Sequence, residues 1–119
     1  MQKNYPQMAK DLSREIAELR RGQPEPMKAF SALAKAATAD GALDPKAKEI
    51  IATAIAIAVR CDGCIAFHVK AARRAGMTRE ELLETISMSV YMGGGPSMIY
   101  GAEALDAFDQ FQEEDGTSS

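Results

Sequence analysis

The chain is predicted to be all-α, a single-domain bundle of six helices that assembles into a homo-oligomer. Apolar residues recur at three- and four-residue spacing, the breaks carry helix caps and stops rather than hairpin turns, and no strand alternation competes with them. The 119 residues suit one domain, with 46% hydrophobic and 26% charged residues as in ordinary globular chains.

A first amphipathic helix is expected from about Pro6 to Arg21, with Met8, Leu12, Ile16 and Leu19 on one stripe and Gly22 and Pro24 as its stop. A second runs from about Pro26 to Asp40, carries Phe30, Leu33 and Ala37, and ends at Gly41. Asp44 then serves as N-cap and Pro45 as first residue of a third helix reaching about Arg60. This helix is apolar nearly all round, so it needs neighbours on every side, and six short helices give limited cover. Subunit contacts are therefore expected to complete the core, with Tyr91, Phe108 and Phe111 as candidates for either interface or interior.

The fourth helix contains both cysteines and closes at Gly76; Thr78-Arg79-Glu80-Glu81 starts the fifth as a capping box, with Met77 and Leu82 placed as a hydrophobic staple. Gly93-Gly94-Gly95-Pro96 ends that helix. It lacks the preceding strand and following Lys-Ser/Thr of a phosphate loop, so no ligand is assigned to it. A sixth helix is expected from Ser97 to about Phe111, followed by a polar, frayed tail over Gln112–Ser119. The core is placed at about 26–111, and Met88, Met92 and Met98 are read as core or interface filling.

The net charge of −3 offers no basic surface for nucleic acid, the N-terminus lacks the apolar segment of a signal peptide, and the apolar stretch Ile50–Val59 is too short to span a bilayer. A cytoplasmic location follows as an expectation, and in that reducing compartment two cysteines three residues apart point to catalysis or metal binding rather than a permanent staple.

Cys61-Asp62-Gly63-Cys64-Ile65-Ala66-Phe67-His68 holds both cysteines and the only histidine. A thiolate is the reactive form of cysteine, favoured by a helix N-terminus and a nearby imidazole, and a second thiol is available to close a disulfide. A tight turn between the third and fourth helices makes them antiparallel neighbours. Glu49 lies roughly 16 Å before the turn and His68 roughly 10 Å after it, so the expected spatial order is Glu49, His68, Cys64, Cys61. A carboxylate orients an imidazole, which then accepts a thiol proton. The same four residues also have the donor set of a tetrahedral zinc site, and spacing alone leaves redox and metal readings open. Haem attachment is excluded, because Ile65 stands where the histidine after the second cysteine would be.

Glu49, eleven residues, Cys61-x-x-Cys64, three residues and His68 is a pattern that resembles the alkylhydroperoxidase D-like branch of the carboxymuconolactone decarboxylase superfamily. The likeness extends from about Leu43 through Phe111, including Met92–Pro96 and Tyr100-Gly101-Ala102-Glu103-Ala104-Leu105. It implies an all-helical fold, trimers or hexamers, and a peroxidase cycle without a cofactor. By the resemblance, Cys64 attacks a small hydroperoxide, Cys61 resolves the sulfenic acid, and Glu49 and His68 relay protons. A lipoylated or thioredoxin-like dithiol partner restores the thiols. Gly63 departs from alkylhydroperoxidase proper, which has a further histidine just before its second cysteine, so that part of the relay is missing. The decarboxylase branch lacks the cysteine pair, which places lactone decarboxylation behind the redox reading.

Overall fold

In a computed structural model describing residues 3–116, the chain folds into α1 (Tyr5–Gly22), α2 (Pro24–Ala37), α3 (Pro45–Ala58), α4 (Asp62–Arg74), α5 (Arg79–Gly93) and α6 (Gly95–Glu114), with no strand among the described residues. Side chains fix the helix starts. Asn4 accepts the Gln7 N–H and Asp44 accepts the Ala47 N–H. The capping box is complete: Glu81 N–H donates to Thr78 Oγ1 at 3.1 Å, and Thr78 N–H donates to Glu81 Oε1 at 2.8 Å. Met77 and Leu82 flank it and are both buried in the core.

α3 packs chiefly on α4 and α5, and α6 lies across α5 and α4. Ile57, Ile65, Val69, Leu82, Phe108 and Phe111 fill the space between them. Phe108 and Phe111 are thus interior residues, whereas Tyr91 is 80% exposed. α1 crosses α4 and α6, and its Tyr5 and Ala9 belong to the hydrophobic core. α2 meets α1 alone and buries none of its residues; Phe30 and Leu33 stand open.

The sixth helix is longer than expected at both ends. Pro96 sits in its first turn, where a missing N–H costs nothing. At the other end buried Phe111 anchors the last turns, and Gln112–Glu114 continue the helix instead of fraying. Arg73 holds Asp115 at 2.6 Å just beyond it. Residues 117–119 of that tail lie outside the described residues.

Ile51, Ile55 and Val59 recur every four residues along one exposed face of α3, and Met88, Met92 and Met98 are also exposed rather than core filling. None of the described helices is long and apolar enough to cross a membrane.

Candidate redox site

The turn from α3 to α4 is made by Arg60, whose φ of 58° lies in the left-handed region, and by Cys61 N–H bonding back to the Ala56 carbonyl at 3.1 Å. This reversal sends α4 back along α3. Cys61 becomes the N-cap, in extended conformation, and its Sγ accepts the Cys64 N–H at 3.2 Å. Cys61 and Cys64 form a disulfide across a Cα–Cα distance of 5.2 Å, within the usual span.

Two turns further along α4, His68 Nδ1 lies 2.8 Å from Glu49 Oε1. The helix-rise arithmetic placed these two together, and they are. The Glu49 side chain is largely buried and that of His68 half-buried. A carboxylate oxygen accepts, so in this contact Nδ1 is the donor, and Nε2 is left as the ring nitrogen available to exchange a proton with another group. Thr53, fully buried one turn on, bonds the Glu49 carbonyl at 2.8 Å and steadies that turn of α3. The four-ligand cation set considered from sequence is not assembled in this state: the sulfurs are bonded to each other, and among the described residues no three of His, Cys, Asp and Glu converge.

A second polar group lies at the start of α4 and was not foreseen. Lys3 Nζ bridges Asp62 Oδ2 at 2.8 Å and Glu103 Oε2 at 2.6 Å. The buried Tyr5 hydroxyl points between the same carboxylates, 3.3 Å from Asp62 Oδ1 and 3.4 Å from Glu103 Oε2. Gln110 ties this end down by accepting the Tyr5 N–H at 2.7 Å and donating to the Lys3 carbonyl at 2.9 Å. Hydrogen bonds to Asp62 and then Glu103 hold the Lys3 ammonium above its usual range; burial, followed by the two negative charges, does the same for the Tyr5 phenol. Asp62 lies between the two cysteines in sequence, so this clamp fixes the first turn of the motif. The only sequence signal for it is Glu103 on a face shared with Ala104 and Ala107, a carboxylate that needs a partner; Lys3 and Tyr5 are about a hundred residues away.

Gly63 is where α1 crosses this turn. A Cβ there would lie 2.7 Å from Leu12 Cδ1, so any side chain at this position has to displace the end of the Leu12 side chain. Beyond Glu49 an open groove of about 640 Å³ follows α4 toward its C-terminus, floored by Phe67, Ala71 and Ala75 and bordered by Lys70 and Arg74.

The bundle defines a class shared with proteins whose sequences and structures are similar. Residues 24–107 match the Carboxymuconolactone decarboxylase family, and the chain belongs to it. It is similar to apo-lpg0406, a carboxymuconolactone decarboxylase family protein from Legionella pneumophila, with 54% identity and a TM-score of 0.87 over 90% of this chain and 96% of that one. TM1620 from Thermotoga maritima, a member of the same family for which a part in the antioxidative response has been raised as a possibility, is 25% identical, with a TM-score of 0.82 over 92% of this chain and 93% of that one. An uncharacterized protein from Cupriavidus necator is 42% identical over 99 residues, 83% of this chain and 88% of its own length.

Proposed function

We propose that this protein is a thiol-dependent peroxidase that cycles Cys61 and Cys64 between dithiol and disulfide. The observation that carries this reading is the 2.8 Å contact of Glu49 with His68 on the helix whose first turn holds the Cys61–Cys64 pair. In the reduced form, His68 Nε2 accepts the Cys64 thiol proton while Glu49 stabilises the imidazolium. The thiolate attacks the distal oxygen of a hydroperoxide ROOH. The O–O bond breaks, leaving Cys64 as a sulfenic acid, and the proton held by His68 passes to the leaving alkoxide to give ROH. The Cys61 thiol then attacks the Cys64 sulfur, the disulfide forms and water departs. A dithiol, either a small molecule or a lipoylated or thioredoxin-like protein, returns the pair to thiols by exchange and is itself oxidised.

The antioxidative role raised for the Thermotoga relative agrees with this cycle. A reducing cytoplasm would supply the dithiol. The exposed Ile51, Ile55 and Val59 face of α3 fits a trimer or hexamer in which copies cover one another's apolar surface, to be checked by light scattering on the eluting protein.

The deciding experiment counts free thiols by mass spectrometry before and after one equivalent of an organic hydroperoxide, with zinc measured on the same sample. Loss of both thiols to a Cys61–Cys64 disulfide is expected, and Cys64→Ser should abolish turnover with the fold retained. Persisting thiols with stoichiometric zinc would overturn the proposal in favour of a metal site. Turnover of a carboxymuconolactone by the double cysteine variant would instead identify a decarboxylase.

A further inference from the structure

The groove beside Glu49 has a charge pattern that the thiol cycle does not use. Lys70 and Arg74 are four residues apart on α4 and both border it. Like charges at this spacing repel across one helix turn. Neighbouring cations have carboxylate partners, Lys46 with Glu81, Arg73 with Asp115 and Arg79 with Asp109. Lys70 and Arg74 pair with no carboxylate among the described residues; Glu49, the one acid in the lining, is held by His68. The Ser13 and Thr38 hydroxyls at the rim donate to the Ala9 and Ala34 carbonyls, both at 2.8 Å, so anion recognition falls to the two cations. The rest of the α4 lining is apolar, with Phe67, Ala71 and Ala75 alternating with the two cations along the helix.

An apolar strip that runs beside two cations no carboxylate neutralises, with the Glu49–His68 pair toward its N-terminal part, matches an amphipathic anion. The geometry points to a carboxylate-binding subsite at Lys70 and Arg74, with an aliphatic chain lying over Phe67, Ala71 and Ala75. The substrate class is then an organic hydroperoxide that bears a carboxylate. Along the helix axis Cys64 is roughly 9 Å from Lys70 and roughly 15 Å from Arg74, so acid and peroxide groups are separated by a medium or long chain rather than a few carbons. The substrate assignment rests on the peroxidase reading above; the carboxylate subsite stands independently of it.

The test has two arms. In the first, kcat/KM is measured with a dithiol reductant for a hydroperoxy fatty acid and for its methyl ester. The acid is expected to be favoured at least tenfold at low salt, with the preference shrinking as salt screens it and collapsing toward unity in Lys70→Ala/Arg74→Ala. Equal use of acid and ester, or a preference that survives the double substitution, would overturn the substrate class. In the second arm, decanoate and 1-decanol are titrated into the protein with backbone amide shifts of α4 as readout. Saturable shifts at Phe67–Ala75 with decanoate, absent with decanol and lost in the double variant, support the subsite even if no hydroperoxide is turned over, which would sink only the peroxidase reading. No decanoate shifts, or shifts unchanged in the double variant, would overturn the subsite.

Discussion

Lys3→Met is the most informative perturbation of the clamp on the cysteine motif. It removes the one cation that bridges Asp62 and Glu103 among the described residues and leaves two carboxylates around one phenol that donates a single proton. Breaking a fully buried pair costs about 3–5 kcal/mol, whereas an exposed pair is worth about 0–1 kcal/mol. The site falls between these limits, because the Glu103 side chain is 9% exposed but those of Lys3 and Asp62 are 37% and 33% exposed. The expected loss is about 1–3 kcal/mol, which for a domain of this size lowers the midpoint by about 4–12 °C. Urea and thermal unfolding followed by circular dichroism, at one fixed protein concentration, measure it. Adding Glu103→Gln to Lys3→Met removes the surplus charge and should recover part of the loss. Lys10→Met, which breaks a looser pair with Glu114 at 3.5 Å, should move stability by no more than about 0.5 kcal/mol. A Lys3→Met protein as stable as that control would refute the assignment of the clamp.

The same cluster sets an alkaline limit. Lys3 and Tyr5 both have their folded-state pKa raised above ordinary values of 10.5 and 10.0, so their stabilisation is complete below about pH 10 and falls as pH rises beyond it. The stability of Lys3→Met/Tyr5→Phe should accordingly vary less between pH 9 and 11 than that of the parent, as urea midpoints will show. Glu49→Gln keeps a hydrogen-bond acceptor for His68 Nδ1 but loses the charge that supports the imidazolium; peroxide reduction should fall by about 10²-fold or more with an unchanged melting curve, by stopped-flow kinetics. Gly101→Ala would place a methyl 2.5 Å from the branched Ile86 Cγ2 between α5 and α6. The overpacking, about 1–3 kcal/mol, should outweigh the gain of about 1 kcal/mol in helix propensity, and urea unfolding checks the sign.

What was legible in the sequence was whatever depends on short-range spacing. Thr78 and Glu81 name their own helix start, and the rise per residue along two helices joined by a tight turn is enough to bring Glu49 to His68. The role of α1 was not legible. Its stripe of Met8, Leu12, Ile16 and Leu19 announces an amphipathic helix but not which helix it meets, and Tyr5 and Lys3 find Asp62 and Glu103 only through tertiary closure. For α2 the pattern misled in the opposite direction: Phe30 and Leu33 have core-like spacing yet face outward, because periodicity marks an apolar face without saying whether the same chain covers it.

Gly63 joins these two lessons, since its meaning in the motif depends on a helix fifty residues earlier in the chain. Alkylhydroperoxidase proper places a histidine at this position, and replacing Gly63 with histidine looks like a restoration if the motif is considered alone. The fold argues otherwise. Even a Cβ would approach Leu12 Cδ1 to 2.7 Å, and although that terminal methyl can swing aside for one carbon, an imidazole needs the space that α1 occupies. Gly63→His should therefore destabilise the protein by about 1–3 kcal/mol, the usual cost of overpacking, and loosen α1 from α4. Leu12→Ala opens the contact, so Gly63→His/Leu12→Ala should lose less than the sum of the two single changes, a coupling that a double-mutant cycle of urea unfolding measures. Hydrogen exchange along α1 supplies the second readout, with faster exchange expected in Gly63→His alone. A Gly63→His protein with parental stability and unchanged α1 protection would mean that α1 does not close this position, and the missing histidine would then need another physical cause.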